Sequence, residues 1–472
     1  MSPDSPDVGH VTIDVLPDNV LLDVFDFCLD LPQNFFVDRT KRWQRLVHVC
    51  QRWRCVVFQS TRRLDLQILC TARKPVREML DIWPASPLII WVGDGPPAWG
   101  MDNIIAALEH RDRISRISID HTSRLEMLLP MMQEPFPALT FLDLDTRSSI
   151  PDFFLGGSAP HLRYLYLEAI PFPTLPKLLL SATNLLTLSL RNVPHSGYIS
   201  PESMAACLFA LVKLERLVLR FQSPRSRPHR ESRRPPLPTR TILPALARLE
   251  FKGVSEYFED LIARIDETPV LDYLQITHFT QPILHTPQLS QFIGRVPKFQ
   301  TLDEPRVVIS NGDISVTVHP SPTQTLGHRH LRVGIALRDL DWEPSSLAQL
   351  CTSSLPLFLA VEHLYMTSPL LLWRDIENAQ WLELLRPFTS AKNLYLSKEF
   401  ALRLAPALQE LVEERATEVL PALQNLFVVK LRPSGPAQQA IEQFVYARQL
   451  FGHPIAVSQW VVGENEQWEI NL

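Results

Sequence analysis

Apolar residues recur at helical spacing from Leu16-Pro17-Asp18 onward, at Val20, Leu21, Val24, Phe25, Phe27 and Cys28. Proline suits a first helical turn, where its missing N–H costs nothing, and Asp18 complements the helix dipole there. The stripe is wide enough for a core and a partner to share it. A loop is expected from about Asp30 to Arg39, followed by a second periodic run through Trp43, Leu46, Val47, Cys50, Trp53 and Val57. Arg42, Arg45, Arg52 and Arg54 lie between its apolar positions. A unit of short helices this small has little core of its own. Its apolar face fits a partner, and it also fits a cap that only covers the next domain.

Further along, a different pattern takes over. The motif apolar-x-x-apolar-x-apolar starts at Ile114, Leu139, Leu162, Leu185, Leu214, Leu246 and Leu271, at steps of 25, 23, 23, 29, 32 and 25 residues. It returns at Val361, Ala391 and Leu423. Helical runs such as Ile104-Ile105-Leu108 and Phe258-Leu261-Ile262-Ile265 fall between copies. Each unit therefore reads helix, turn, short strand. One unit cannot bury its own apolar face, but stacked neighbours can, which predicts a parallel sheet with helices outside it. Residues 300–345 break the period: Val307 to Ile309 and Ile314 to Val318 alternate around Asn311-Gly312, a hairpin signal. The tail beyond about 445, with Trp460 and Trp468, is expected to cap the array.

Composition narrows the class. In 472 residues, 46% are hydrophobic and 21% charged, enough for a large core. Proline at 41 against glycine at 15 favours short, proline-punctuated elements over a glycine-rich nucleotide site. The formal charge of −5 leaves no global nucleic-acid or membrane footprint. Six cysteines are too few for a disulfide framework, and no apolar run is long enough for a bilayer. The expected setting is intracellular, cytoplasmic or nuclear. One segment departs from the mean: residues 222–241 hold six arginines, five prolines and one glutamate, which reads as a solvated, disordered loop.

Catalytic constellations are missing from the pattern. There is no phosphate-cradling glycine loop, no G-x-S-x-G and no H-E-x-x-H. Cys50 with Cys55, and His328 with His330, have spacings seen in metal sites but no further ligands in company. No enzyme activity, cofactor or metal is expected.

Two family resemblances carry the functional reading. Residues 13–29, with Leu16-Pro17 opening a helix, and Trp43-x-x-Leu46-Val-x-Val-Cys50-x-x-Trp53-Arg54 resemble the two halves of an F-box. Residues 56–66 resemble the exit segment of many fungal F-box proteins. The repeats resemble leucine-rich repeats, although the asparagine expected after each strand is replaced by Ile170, Val193, Val254, Phe279 and Leu431. The combination implies an α/β chain: a short all-α F-box-like module, then an irregular leucine-rich-repeat-like solenoid with a parallel sheet on its concave face. The expected boundaries are a polar tail at 1–12, the module at 13–60, a connector and start of the array at 61–110, the solenoid at 111–445 and the cap at 446–472. The resemblance further implies docking on a Skp-type adaptor, and through it on a cullin scaffold, as the substrate receptor of a ubiquitin ligase. The alternative is a non-catalytic repeat scaffold whose N-terminal helices only cap the array.

Leu16, Pro17, Leu21, Val24, Trp53 and Val57 are the expected adaptor-binding residues, some at the interface and some as internal support. In each repeat strand the residues between the apolar positions point away from the core. That rule nominates Tyr164, Tyr166, Arg191, Arg216, Arg220, Arg248, Tyr273, Tyr365 and Tyr395 as a target-binding face. Aromatics flank a basic middle, which suits an acidic or phosphorylated protein target.

Overall fold

The computed structural model describes residues 13–29, 42–73, 75–83, 85–93, 100–120, 122–225, 240–279, 286–299, 304–310, 313–319, 330–336, 361–366, 377–411, 415, 417–429 and 435–460. The chain divides into two compact units, Met1–Tyr164 and Leu165–Leu472.

The first unit begins with helix α1 (Asp18–Leu29) and helix α2 (Gln51–Gln59). Between them, residues 42–46 make a short helical turn. The second apolar run is thus broken in two, because Cys50 is extended and caps α2, its Sγ accepting from the Trp53 N–H at 3.4 Å. Capping is the chemistry that this cysteine shows. The loop expected near 30–39 lies outside the described residues.

Strands β1 (Ile68–Cys70), β2 (Leu88–Val92), β3 (Ile114–Ile119) and β4 (Phe141–Asp145) follow, each parallel to the next. Helices α3 (Val76–Ile82), α4 (Met101–Leu108) and α5 (Thr122–Leu128) alternate with them. The parallel sheet therefore starts inside the stretch 61–110. Its first two strands are continuous apolar runs, which the spaced motif does not detect.

In the second unit the helix–strand alternation continues. β5 (Tyr164–Glu168) starts at the boundary, and β6 (Thr187–Val193), β7 (Arg216–Phe221), β8 (Arg248–Gly253) and β9 (Tyr273–Phe279) follow. From β6 to β9 every pairing is parallel. The apolar positions of the motif are the buried ones: Leu188, Leu217, Leu249 and Leu274 share one register row and are all inaccessible. Helices α6 (Leu175–Ser181), α7 (Pro201–Ala210), α8 (Ser255–Ile262) and α9 (Pro287–Arg295) supply the other layer. Ile170, Val193, Val254 and Phe279, at the usual asparagine position, are buried, so apolar packing replaces polar turn bonding there. Leu431 lies outside the described residues.

Adjacent repeats are also joined by a buried acid. Glu259 of α8 accepts the backbone N–H groups of Gln288 and Leu289, at 2.8 and 2.9 Å, at the start of α9. Burial nevertheless pushes its carboxyl up to about 7, those two bonds opposing and Asp260 assisting the shift.

The period break takes a definite form. β10 (Glu304–Ser310) and β11 (Asp313–His319) pair antiparallel, as the alternating pattern predicts, while the Asn311-Gly312 turn lies outside the described residues. β12 (His330–Ala336) pairs antiparallel with β11 and parallel with β9. The spatial order is β9-β12-β11-β10-β13, with β13 (His363–Met366) parallel to β10. Two reversals restore the common strand direction. Beyond it run helix α10 (Asn378–Leu385), β14 (Asn393–Leu396), helix α11 (Lys398–Gln409), β15 (Asn425–Val429), helix α12 (Pro436–Leu450) and β16 (Ala456–Trp460). The expected cap is thus one more helix and one more parallel strand, with 461–472 outside the described residues. Of the Arg/Pro loop 222–241, residues 226–239 are outside them, and Thr241 pairs with Ile265.

Candidate functional site

The N-terminal module presents two apolar faces on one helix. Leu21, Phe25 and Leu29, at i, i+4 and i+8, are buried. Val20, Val24 and Phe27 lie on exposed positions beside them, Phe27 at 72% exposure. Exposed Ile13, Val15 and Val49 belong to the same module. Helix α2 answers the buried face: the Trp53 ring sits 4.7 Å from Phe25, and Val57 is inaccessible. Polar contacts brace the pair, with Arg52 donating to Asp18 at 2.6 Å and to the Leu16 carbonyl at 2.5 Å, and Arg63 pairing with Asp23. The residues nominated for an adaptor thus separate by position. Leu21 and Val57 are internal, Trp53 is half-buried against Phe25, Leu16 is half-buried, and Pro17 and Val24 are exposed. Phe27 and Val20 belong with Val24, and the i, i+4, i+7 spacing was the signal for them.

The open sheet face of the second unit holds most of the nominated target residues. Arg216 and Arg248 stand directly opposite on β7 and β8, as do Arg220 and Lys252 four residues on. The basic middle is not a row of bare cations. Glu250 lies between Arg248 and Lys252 on β8 and is only 2% exposed. Its Oε1 accepts from Arg248 Nε at 2.8 Å and Arg216 Nη2 at 3.0 Å, and its Oε2 from Arg220 Nη2 at 2.6 Å. Burial would raise its pKa, but the charges of Arg220, Arg248 and Arg216 outweigh that and hold it below the usual carboxylate range. Three guanidiniums converge on one buried acid, while their side chains stay 33–39% exposed. Arg248 also stacks over the Tyr273 ring at 3.8 Å, and the Tyr273 hydroxyl donates to Gln275 at 2.7 Å. Arg191 is half-buried on β6 beside Leu190 and Phe221, and no bond from it to Glu250 is formed among the described residues.

At the other end of the unit, Tyr365, Tyr395 and Phe427 share one register row on β13, β14 and β15. Their rings stack at 4.1 and 4.5 Å with interplanar angles of 5° and 7°. Two residues earlier, His363, Asn393 and Asn425 form a second row, Asn425 donating to Asn393 at 2.8 Å. An asparagine ladder thus exists on the strands, not in the turns. Tyr166 is half-exposed on β5, and Tyr164 is half-exposed 6.2 Å from Phe141 in the first unit.

Among the described residues, no group of three His, Cys, Asp or Glu side chains could hold a metal ion, and no helix is long and apolar enough to cross a membrane. His328 lies outside those residues.

No family model matches the chain, and no curated protein matches it. Among solved structures it is similar to the leucine-rich repeat-containing protein LegL7 from Legionella pneumophila, at 11% identity and a TM-score of 0.27, covering 80% of this chain and 97% of that one. The repeat architecture rests on this chain's own strand register.

Proposed function

We propose that this chain is a non-catalytic protein-interaction scaffold. Its N-terminal module docks on a Skp-type adaptor, and its repeats present a target protein to the cullin-based ligase assembled there. The observation that carries the reading is the second apolar face of α1, Val20, Val24 and Phe27, left exposed while Leu21, Phe25 and Leu29 make the core. A helix that only capped the array would need one apolar face. Large apolar side chains at the centre of an interface cost about 2 kcal/mol or more when lost. Val24→Asp with Phe27→Asp should therefore weaken binding of a purified Skp-type adaptor about 30-fold or more in a titration, with the melting curve unchanged. Undiminished binding removes the docking mechanism.

The second reading, a plain scaffold with a helical cap, has one observation in its favour. Trp43 is buried, donates its indole N–H to the Gln67 carbonyl at 2.9 Å and packs edge-on to Trp83 at 5.1 Å. The module is thus tied to the segment beside β1. Absence of any adaptor binding by the unaltered chain would favour this reading.

A further inference from the structure

The paired rows on β13 to β15 stop one strand short of the sheet edge. On these strands the outward pair is His363 with Tyr365, Asn393 with Tyr395, and Asn425 with Phe427. On β16 the same register positions are Ala456 and Ser458, and both are exposed. The two small residues leave a notch against the last ring. Tyr395 covers one face of Phe427, and no ring of the described residues covers the other. The polar row has a direction as well. Asn393 Nδ2 donates to His363 Nδ1 at 3.3 Å, and Asn425 Nδ2 donates to Asn393 Oδ1 at 2.8 Å. Each amide directs its N–H towards β13. The row therefore ends on Asn425 Oδ1, a carbonyl oxygen that receives no hydrogen bond among the described residues.

We infer that this notch seats an arginine side chain of a partner protein, its guanidinium stacked on the open face of Phe427 and donating to Asn425 Oδ1. The inference rests on the scaffold part of the proposed function and names the chemistry of the target. A carbonyl oxygen needs a donor, and a ring face attracts a cation. Lysine carries the charge without the plane that stacks. Another aromatic ring is the poorer fit, because it brings no donor for Asn425 and a face-to-face sandwich is not the arrangement rings prefer. Within the chain the strand spacing of about 4.8 Å imposes that sandwich, and a ligand is under no such constraint. The reach suffices. His363 and Tyr365, the equivalent pair on β13, have ring centroids 6.4 Å apart. A guanidinium carbon stands about 4 Å from an oxygen that its N–H bonds, and a cation is held within about 6 Å of a ring centroid. One position over the near edge of the ring satisfies both. The molecule already makes this pairing once, with Arg248 over Tyr273 at 3.8 Å. Its formal charge of −5 favours a cationic partner at long range.

The test uses the full chain and saturation-transfer NMR, which reads weak binding of small probes. The probes are acetyl-arginine amide, acetyl-lysine amide and acetyl-phenylalanine amide. Ser458→Phe is the diagnostic variant, because it supplies the missing ring from an exposed position and leaves Phe427 and Asn425 in place. The expected result is that the arginine probe binds about threefold tighter than either of the others. Ser458→Phe should weaken arginine binding at least about threefold at an unchanged or raised melting temperature, while Ser458→Ala leaves it as it was. Phe427→Leu keeps apolar bulk without a ring face and reads the same contact independently, with a similar loss. Equal binding of the lysine probe, persistence in Ser458→Phe and Phe427→Leu, or no binding of the arginine probe overturns the inference. So does tighter binding of the phenylalanine probe, which assigns the notch to an aromatic side chain. The adaptor titration is independent of all of these: its failure leaves the probe result standing, and the reverse also holds.

Discussion

The second unit solves the same packing problem in two opposite ways. At β7 and β8 the open-face positions carry arginines, which repel across the strands and are held together by a buried acid. At β13 to β15 the equivalent positions carry aromatic rings, which stack in register without any charge. The first arrangement depends on one residue, Glu250. The second is distributed, because each ring supports only its neighbours. The same fold can therefore hold a brittle surface and a tolerant one a few strands apart.

The largest effect should come from breaking the brittle surface. Reversing charge at Arg216, Arg220 and Arg248 leaves Glu250 buried without a cation, a situation that costs about 3–5 kcal/mol. Denaturant unfolding should show the loss directly. For that reason the triple reversal cannot serve as a clean test of target capture. A smaller effect belongs to β9, next to the arginines. His278 is inaccessible between Phe251 and Phe258, and burial, partly opposed by the Gly253 backbone, pushes its imidazole down to about 4. Its folded pKa lies below the unfolded value of 6.5, so unfolding takes up a proton between those values. Stability present above pH 6.5 should be lost as pH falls towards 4, by about 3 kcal/mol at most. Glu259 works the other way, since its raised pKa makes the fold less stable as pH rises from 4.5 to about 7. A His278→Leu variant measured across that range should lose the acid-side decline and keep the opposite slope. The smallest effect should be in the aromatic row. Tyr395→Ala removes stacking on Tyr365, Phe427 and His363, and Phe427→Ala removes stacking on Tyr395 alone, so the first should cost about 1–2 kcal/mol and the second roughly half as much or less. Equal costs in a double-mutant comparison would show that the rings do not act as a row.

Much of this fold is visible in the one-dimensional pattern, because the repeat motif records inward positions and those are what the packing selects. Leu188, Leu217, Leu249 and Leu274 could be placed in one row from their spacing alone. The strands at Ile68–Cys70 and Leu88–Val92 escape that reading, since continuous apolar runs carry no period. β12 escapes it because, besides its chain neighbour β11, it pairs with β9, three strands earlier along the chain. Glu250 escapes it for a different reason. It occupies an outward-facing position, where a charged residue predicts solvent, yet it is buried with three arginines bonded to it. On α1, Val20 and Phe27 were in view as part of a wide stripe, but periodicity does not say which half of such a stripe the core will use.

The inserted strands have a consequence for how the chain comes to be folded. Elsewhere in the array each strand meets a partner one repeat away, so order can spread from neighbour to neighbour. β9 cannot follow that rule: Tyr273 pairs with His330, about twice the ordinary step along the chain, and Arg306 waits in the same way for His363. During synthesis the edge of β9 therefore stays open until residues 330–336 have emerged. Longer loops must close before any contact rewards them, which slows this step relative to the others. The array is in kinetic terms two zippers joined by one delayed splice, and an exposed parallel edge persists for the length of that delay.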